Sequence, residues 1–353
     1  MALPQISSPH THNHNSTQEV MFYVMVATVP GVIALTHFFG IGSLLNITLA
    51  CVTAIACEAA VLKIRKRPIG FYLRDYSALV TAVLLGIALP PYCPWWIVVV
   101  GVFCAIVLAK QLYGGLGYNP FNPAMVGYVI LLISFPAAMS QWAAPSPALA
   151  EGQSLIDPLM ALGKIWLDSG YDAYSGATPL EIIRHNEGDT LLQLLANEPV
   201  FSQARWAGAG AGWEWVNIGF FAGGIFLLYK KIFTWHAPVA MLVSLSLMAI
   251  LFYDNGSSES PGSPLFHLLS GGTMLGAFFI VTDPVTSASS QLGKLIYGAL
   301  IGMLIFVIRA WGNYPDAVAF AVLLMNFAAP FIDYYTVPRS YGHAQRKNVI
   351  KKQ

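Results

Sequence analysis

A hydroxyl group suited to chemistry lies in the stretch DAYSGATPL, residues 172–180, where Thr178 is followed by Pro179 and Glu181. This T-P-x-E order predicts the start of a helix. Thr178 is the N-cap, Pro179 is the first helical residue, and Glu181 reaches back to close a capping box. Such a cap stabilises a helix by about 1 kcal/mol. The order of the residues therefore has a complete structural explanation that needs no reaction at Thr178.

The residues before Thr178 favour a second use of its hydroxyl. Ser175, Gly176 and Ala177 are small, so a bulky group can reach the oxygen, and a helix N-terminus attracts phosphate. A phosphoester on Thr178 fits this stretch, although the Glu181 carboxylate competes for the positive end of the same helix. The residues leave both interpretations open, a structural cap and a phosphate ester.

Two other stretches place proline and glycine beside apolar runs: GGLGYNPFNPAM, residues 114–125, and VTDPVTSASS, residues 281–290. Proline removes a backbone donor and disfavours helix at the preceding residue. Inside a membrane the freed backbone groups need partners from protein, water, an ion or a ligand. The stretches therefore predict either ordinary turns or a binding site, whose candidate residues are Asn119, Asn122, Thr282 and Asp283.

Two charged residues lie within apolar runs, where a charge is costly unless it has a partner or a function. Glu58 precedes a basic loop by about one turn. It either serves an ion path, or it snorkels to the membrane surface or pairs with Lys63 or a neighbouring subunit. Arg309 either pairs with Asp316 or contacts a phosphate.

Patterns for several other kinds of chemistry are missing from the sequence. It has no Walker-type glycine loop, no H-E-x-x-H and no G-x-S-x-G, so ATP hydrolysis, zinc proteolysis and serine hydrolysis lack support. The four cysteines form no C-x-x-C pair, which argues against an iron–sulfur cluster or a disulfide within the chain. The HTHNH stretch near the N-terminus is interpreted as a tail, because metal ligands need fixed geometry. We predict no catalytic residue and no metal ligand.

The elements that position these residues are predicted to be membrane helices. Of the 353 residues, 56% are hydrophobic and 10% are charged, whereas about 25% of a soluble domain is charged. The net charge of +1 gives no general attraction to nucleic acid. Apolar runs of spanning length recur, which predicts an all-α polytopic membrane protein of about ten helices, the third and fifth short or interrupted. Their predicted starts are Val20, Leu44, Tyr76, Trp95, Pro123, Trp213, Trp235, His267, Gly293 and Pro315.

The basic residues orient these helices. With a cytoplasmic N-terminus, most of the 18 Lys and Arg residues fall in cytoplasmic segments, as expected for loops retained on that side. Both termini are then cytoplasmic, and the long polar insert, residues 136–212, lies outside. The basic residues that remain outside the cytoplasm are Lys164, Arg184, Arg205 and Arg309.

The insert separates two predicted five-helix repeats. Because five is odd, the second repeat would be inverted relative to the first, as in many transporters. When Pro123 is aligned with Pro315, the apolar residues that follow also match, but chance similarity between apolar helices explains so short a match equally well. The predicted parts are a cytoplasmic tail (1–19), the first repeat (20–135), the insert (136–212), the second repeat (213–335) and a basic cytoplasmic tail (336–353).

The D-A-Y-S-G-A-T stretch, residues 172–178, resembles a flavinylation motif, in which a flavin transferase joins FMN through its phosphate to the final threonine. Together with the ten helices, the GYNPFNPAM and TDPVTSA stretches and the position of the insert, it resembles the RnfD family of membrane subunits, which belong to the Rnf ion-translocating electron-transport complex. The corresponding membrane subunit of the sodium-translocating NADH:quinone reductase is a near relative. It usually has a longer N-terminal region, so the Rnf complex is favoured.

This resemblance implies a membrane flavoprotein that relays electrons through FMN covalently linked to Thr178. Asp172, Ser175, Gly176 and Ala177 would be recognised by the transferase. The implied partners are iron–sulfur and flavin subunits of the complex, within a bacterial inner membrane. The family also implies a second, noncovalent flavin such as riboflavin, and the two proline-containing breaks are candidate contacts for it. The alternative is a urea-channel-like transporter or channel without a redox group.

Overall fold

The computed structural model describes residues 16–149, 155, 158–167, 175–186, 188–206, 208–312, 314 and 316–336, and in these residues the protein is mostly helical. Asp172, Pro315, the histidines of the HTHNH stretch and the basic C-terminal tail from residue 337 lie outside the described residues. The helices of the first part are α1 (Thr17–Phe39), α2 (Gly42–Ile64), α3 (Ile69–Leu73), α4 (Ser77–Ala88), α5 (Trp95–Phe103, continued by a π-helical segment, Cys104–Gln111), α6 (Pro123–Ser134) and α7 (Pro136–Ser140).

The insert contains short elements and leads into a second set of helices. Its two strands, β1 (Trp142–Ala143) and β2 (Ser175–Gly176), pair antiparallel, and a short 3-10 helix (Ser146–Ala148) follows β1. The helices of the insert are α8 (Pro158–Leu167), α9 (Pro179–Arg184), α10 (Leu191–Asn197) and α11 (Pro199–Ser202). The helices after it are α12 (Trp213–Tyr229), α13 (His236–Leu251), α14 (Pro264–Leu269), α15 (Thr273–Leu275, continued by a π-helical segment, Gly276–Ile280), α16 (Gln291–Trp311) and α17 (Val318–Thr336), with a 3-10 turn at Asp254–Gly256.

The described helices fit a polytopic membrane protein. Four of them, α1, α2, α16 and α17, are long and apolar enough to cross a bilayer, and shorter apolar helices pack among them. The predicted starts at Trp95, Pro123 and Trp213 coincide with helix starts in the structure. As predicted, the third and fifth predicted spans, α4 and α6, are short, at 12 residues each.

The predicted span that starts at His267 contains a break that the sequence analysis did not predict. His267 lies inside α14, and the chain leaves helical geometry at Ser270 before it resumes at Thr273. Gly271 there has a φ of +60°, a left-handed conformation that glycine adopts without strain. The apolar sequence on both sides concealed this break, because hydropathy alone does not register backbone conformation.

Close packing of helix backbones joins the two sets of helices and also holds the second set together. α1 packs along α12, and α13 packs along α16. A Cβ atom on Gly223 of α12 would overlap the carbonyl oxygen of Ala27 in α1, and one on Gly298 of α16 would overlap that of Ala237 in α13. Small residues of this kind let membrane helices approach closely, where packing rather than the hydrophobic effect drives association.

The insert packs on one end of the helical body, here called the insert end, and the other end is called the basal end. At the insert end, Trp142 of β1 contacts both Phe39 and Trp213, with ring centroids 6.4 and 4.9 Å away. Trp166 of α8 stacks on Trp95 at the start of α5, with centroids 5.4 Å apart. Aromatic rings are therefore one of the junctions between the insert and the helices.

We predict that Gly223→Ala destabilises the protein, because the new methyl group meets backbone rather than a flexible side chain. Overpacking of this kind costs about 1–3 kcal/mol, which outweighs the roughly 1 kcal/mol that alanine gains over glycine in a helix. Gly163→Ala in α8 is the matched control, since no atom lies within 4 Å of its added Cβ. Thermal unfolding in detergent should show a lower Tm for the first variant only. An unchanged Tm for Gly223→Ala would contradict the close α1–α12 contact.

Candidate functional site

Thr178 is the N-cap of α9, as the sequence predicts. Its hydroxyl accepts a hydrogen bond from the backbone N–H of Glu181 at 3.3 Å and donates one to the Glu181 carboxylate at 3.1 Å. The same carboxylate accepts the backbone N–H of Thr178 at 2.9 Å, which completes the capping box. Thr178 is 8% exposed. Its oxygen is therefore held in one orientation at the positive end of a short helix.

Two spaces flank the Thr178 segment. An open groove of about 750 Å³ is lined by Ser175, Gly176 and Ala177 of the motif and by Glu181. Its volume is within the range of small-molecule sites, about 300–1,000 Å³. On the other side lies the insert-side cavity, which has only about 80 Å³. The residues around this cavity include Thr178, Tyr128, Trp142, Trp213, Gly272 and Asp316.

A larger cavity, the basal cavity, opens at the opposite end of the molecule. It has about 520 Å³ and lies between helices that precede the insert and helices that follow it. Apolar side chains such as Leu84, Phe278 and Phe279 form much of its wall. The polar residues that line it are Ser77, Thr81, Lys110, Asn119, Asn122, Lys231, Thr234, Thr282, Asp283, Ser287, Ser289 and Lys294.

The structure brings together the four residues predicted from the proline-containing breaks, since all of them line the basal cavity. The Asn122 amide nitrogen lies 3.5 Å from an Asp283 carboxylate oxygen, so the two breaks meet. Asn122 also caps α6, accepting the backbone N–H groups of Ala124 and Met125. The two interpretations, ordinary turns and a binding site, are therefore compatible. The same residues stabilise the local turns and line one wall of the cavity.

The other members of this group have local partners as well. Asp283 accepts the Thr286 hydroxyl at 2.9 Å, and Thr282 donates to the carbonyl of Phe278 at 2.8 Å. Asn119 donates to the carbonyl of Phe121 at 3.0 Å, but its side-chain oxygen is buried and has no partner in the described part of the chain. A buried acceptor of this kind is costly unless a ligand or water supplies a donor.

Glu58 pairs with a residue that the sequence pattern does not point to. Its partner is Lys110, at 2.7 Å, and not Lys63, which is exposed. Gln111 donates to the same carboxylate oxygen at 2.7 Å, and Lys110 also donates to the Ser77 hydroxyl at 2.7 Å. Lys110 and Gln111 reach Glu58 from the π-helical continuation of α5, and such π segments are frequent at functional sites. Sequence separation concealed this pair, because the partners are 52 residues apart.

Arg309 forms the predicted pair with Asp316, at 3.1 Å. Its guanidinium also donates to the backbone carbonyls of His267 at 3.0 Å and Ser270 at 3.4 Å, beside the break between α14 and α15. Asp316 in turn accepts the backbone N–H of Gly272 at 3.0 Å. Arg309 is thus bound to protein groups and not positioned as a free phosphate ligand.

Several residues of these sites carry little signal in the sequence. Lys110 falls in a predicted cytoplasmic segment, yet it is 2% exposed, and Tyr128, Trp142 and Trp213 look like ordinary apolar residues. Only the unusual Ala-Lys-Gln ending of a long apolar run distinguishes Lys110. Aromatic residues in apolar runs are too common to be assigned to a cavity before the packing is known.

Comparison with known proteins gives a family match over most of the chain. The model of the NQR2, RnfD, RnfE family matches residues 5–342. Curated relatives, each named as the D-type subunit of an ion-translocating oxidoreductase complex, include that of Cellvibrio japonicus (strain Ueda107), 61% identical over 97% of this chain and 96% of the relative. The protein of Ectopseudomonas mendocina (strain ymp) is 55% identical over 99% of both chains. That of Yersinia pseudotuberculosis serotype I (strain IP32953) is 50% identical over 96% of this chain and 97% of the relative.

We predict that the buried Glu58–Lys110 pair stabilises the fold only as a pair. Glu58→Gln and Lys110→Gln should each lower the free energy of unfolding by about 3–5 kcal/mol, because each leaves one uncompensated buried charge. The double variant, Glu58→Gln with Lys110→Gln, should lose less free energy of unfolding than the two single variants lose together. Lys63→Gln, an exposed cation on the same helix, should stay within about 0.5 kcal/mol of the unmodified protein. Unfolding in mixed micelles measures all four, and strictly additive losses would argue against the pair.

Proposed function

Because the chain belongs to the NQR2, RnfD, RnfE family, we propose that it is a membrane subunit of a redox-driven, ion-translocating oxidoreductase complex, with FMN esterified to Thr178. The enzyme is the complex, and this chain is one of its electron-carrying subunits. Its proposed partners are subunits that hold iron–sulfur clusters and flavins, and a flavin transferase that attaches the FMN. The observation that carries the proposal is the Thr178 hydroxyl, fixed at a helix N-terminus beside a groove of ligand size.

The residues around Thr178 fit an esterified phosphate with one adjustment. The ester oxygen keeps its lone pairs and can still accept the Glu181 backbone N–H, so the cap survives modification. The hydrogen bond from the hydroxyl to the Glu181 carboxylate is lost, and that carboxylate must move away from the phosphate. The groove has room for a flavin nucleotide, whereas the insert-side cavity is below the usual size of a ligand site.

The basal cavity is the proposed place of a second, noncovalent flavin such as riboflavin. Its volume of about 520 Å³ suits a ligand of that size. The side-chain oxygen of Asn119, which has no partner among the described residues, suits a donor group on the ligand, and Asn122, Thr282 and Asp283 add polar groups to the same wall. Bound flavin supplies the capacity to take up and release electrons. The chain's own residues bind it, orient it and exclude water from it.

The proposed membrane arrangement is two inverted five-helix repeats, residues 20–135 and 213–335, with the insert, residues 136–212, on the periplasmic side of a bacterial inner membrane. Both tails, residues 1–19 and 336–353, are cytoplasmic in this arrangement. Two features support the inverted relation of the repeats. A polar residue caps α6 at the basal end, and Asp316 serves α17 in the same way at the insert end. Each capped helix also follows a helix that ends in a buried cation, Lys110 or Arg309.

A channel or transporter without a redox group is the second candidate. It is favoured by the two cavities, which lie toward opposite ends of the molecule and share the helices α4, α6 and α12. This candidate needs no modification of Thr178. The state of that hydroxyl in the mature protein therefore separates the two functions.

We expect Thr178→Val, made in cells that contain a flavin transferase, to lack an FMN adduct that the unmodified protein carries. Valine has no hydroxyl, so no phosphoester can form. Intact mass spectrometry and in-gel fluorescence after denaturation measure the adduct. Absence of the adduct from the unmodified protein would reject the covalent flavin and favour the channel.

Thr190→Val is the matched control for this experiment. Thr190 caps α10 through the same kind of capping box, with Gln193, in the same insert. Its removal also costs a cap of about 1 kcal/mol, but it should leave the adduct intact. Loss of the adduct in both variants would mean that folding of the insert, rather than the Thr178 hydroxyl, was responsible.

We expect Asn119→Ala to reduce the content of noncovalent flavin while leaving the covalent adduct in place. The variant removes an acceptor that the described protein groups leave unused, so its effect on the free energy of unfolding should be limited to about 1 kcal/mol from the bond to Phe121. Flavin released by acid from the purified protein, counted per chain, measures the content. Unchanged content would remove Asn119 from the proposed site.

A further inference from the structure

The ammonium group of Lys110 lies in the wall of the basal cavity. Lys110 is 2% exposed, and its nitrogen donates to Glu58 and to Ser77, both at 2.7 Å. Ser77 lines the cavity together with Lys110, whereas Glu58 is not among the residues described around it. The cation therefore stands between the cavity and the carboxylate that compensates it.

A lysine ammonium has three N–H donors. In Lys110, two N–H donors are bound by Glu58 and Ser77, and the third has no acceptor among the described residues. Glu58 is also incompletely used, since one of its carboxylate oxygens accepts from both Lys110 and Gln111 while the other is buried without a partner in the same part of the chain. Both members of the pair thus keep hydrogen-bonding capacity that the described residues do not use, and the Lys110 ammonium retains an N–H donor for a ligand in the cavity.

The other cations around the basal cavity have weaker effects on its interior. Lys231 is exposed and Lys294 is half-buried, with its ammonium 3.5 Å from the Thr234 hydroxyl. Water and salt screen charges at such positions. Lys110 is shielded from both, so its charge acts on the cavity with little screening. Asp283 is the described carboxylate in the cavity wall, and it is occupied by Thr286 and Asn122.

We propose that Lys110 sets the reduction potential of the flavin in the basal cavity, and that Glu58 limits its effect. A flavin that takes up two electrons and one proton carries one more negative charge than before. The electrons come from another flavin of the complex and the proton comes from water. The Lys110 ammonium stabilises that negative charge and so favours the reduced form, and the adjacent Glu58 carboxylate opposes it. This inference rests on the proposed function of the basal cavity.

The test uses the full-length chain carrying Thr178→Val, so that noncovalent flavin is the redox group under study. The protein is purified in detergent and loaded with riboflavin, and the midpoint potential is measured by spectroelectrochemical titration. Glu58→Gln should raise the potential, because the Lys110 charge is then uncompensated. Adding Lys110→Gln to that variant should lower it again. We expect each step to change the relative affinity for reduced over oxidised flavin about tenfold, equivalent to ~30 mV for a two-electron couple.

Glu58→Gln and the double variant differ only in the charge at residue 110, and neither contains a buried carboxylate at residue 58. Their comparison therefore remains informative if Lys110→Gln alone fails to fold. Lys63→Gln is the matched control and should not change the potential, since Lys63 is exposed. Equal potentials for Glu58→Gln and the double variant would overturn the inference and leave the flavin site standing. Failure of the parent protein to retain riboflavin would reject the basal flavin site and this inference together, without affecting the test of Thr178.

Discussion

Backbone groups that are freed where a helix stops inside a membrane must find partners within the protein, because hydrocarbon supplies none. In this protein, polar side chains supply them. Asn122 caps the start of α6, Asp316 caps the start of α17, and Arg309 binds the carbonyls that the break after α14 exposes. Polar groups are thereby concentrated at the breaks, and the breaks lie beside the cavities. The requirements of folding and of ligand binding are met by the same residues.

In the proposed function, a structural feature and a reactive one coincide at Thr178. A capping box fixes the orientation of a hydroxyl and places it at the positive end of a helix, which are the conditions that favour a phosphate there. Thr190 has equivalent geometry, but it follows Glu187, Gly188 and Asp189 rather than three small residues. Cap geometry alone therefore does not distinguish a modified threonine from an unmodified one. The sequence before the cap, and access along the groove, must provide the selectivity of any enzyme that acts here.

Much of this architecture follows from local sequence. The cap at Thr178 depends on residues within three positions, and the helix starts at Trp95, Pro123 and Trp213 are marked by prolines or by aromatic residues after polar segments. The partner of Glu58 was not predictable, because Lys110 is distant in sequence and a closer cation, Lys63, looked equally suitable. The break at Ser270 was missed because the Ser-Gly-Gly-Thr stretch that forms it is short and lies between apolar residues. Local rules predict caps and spans, whereas pairing and cavities depend on tertiary packing.

The glycine contact between α1 and α12 has a consequence for synthesis of the chain in the cell. α1 enters the membrane first, but the helix against which it packs is made only after the whole insert. Until then, the strip of α1 around Ala27 faces lipid or other protein. The insert must therefore be synthesised while the body that will hold it is still incomplete. The order in which helices leave the ribosome thus differs from the order in which they become neighbours, and the first helix gains this neighbour only after the insert has been made.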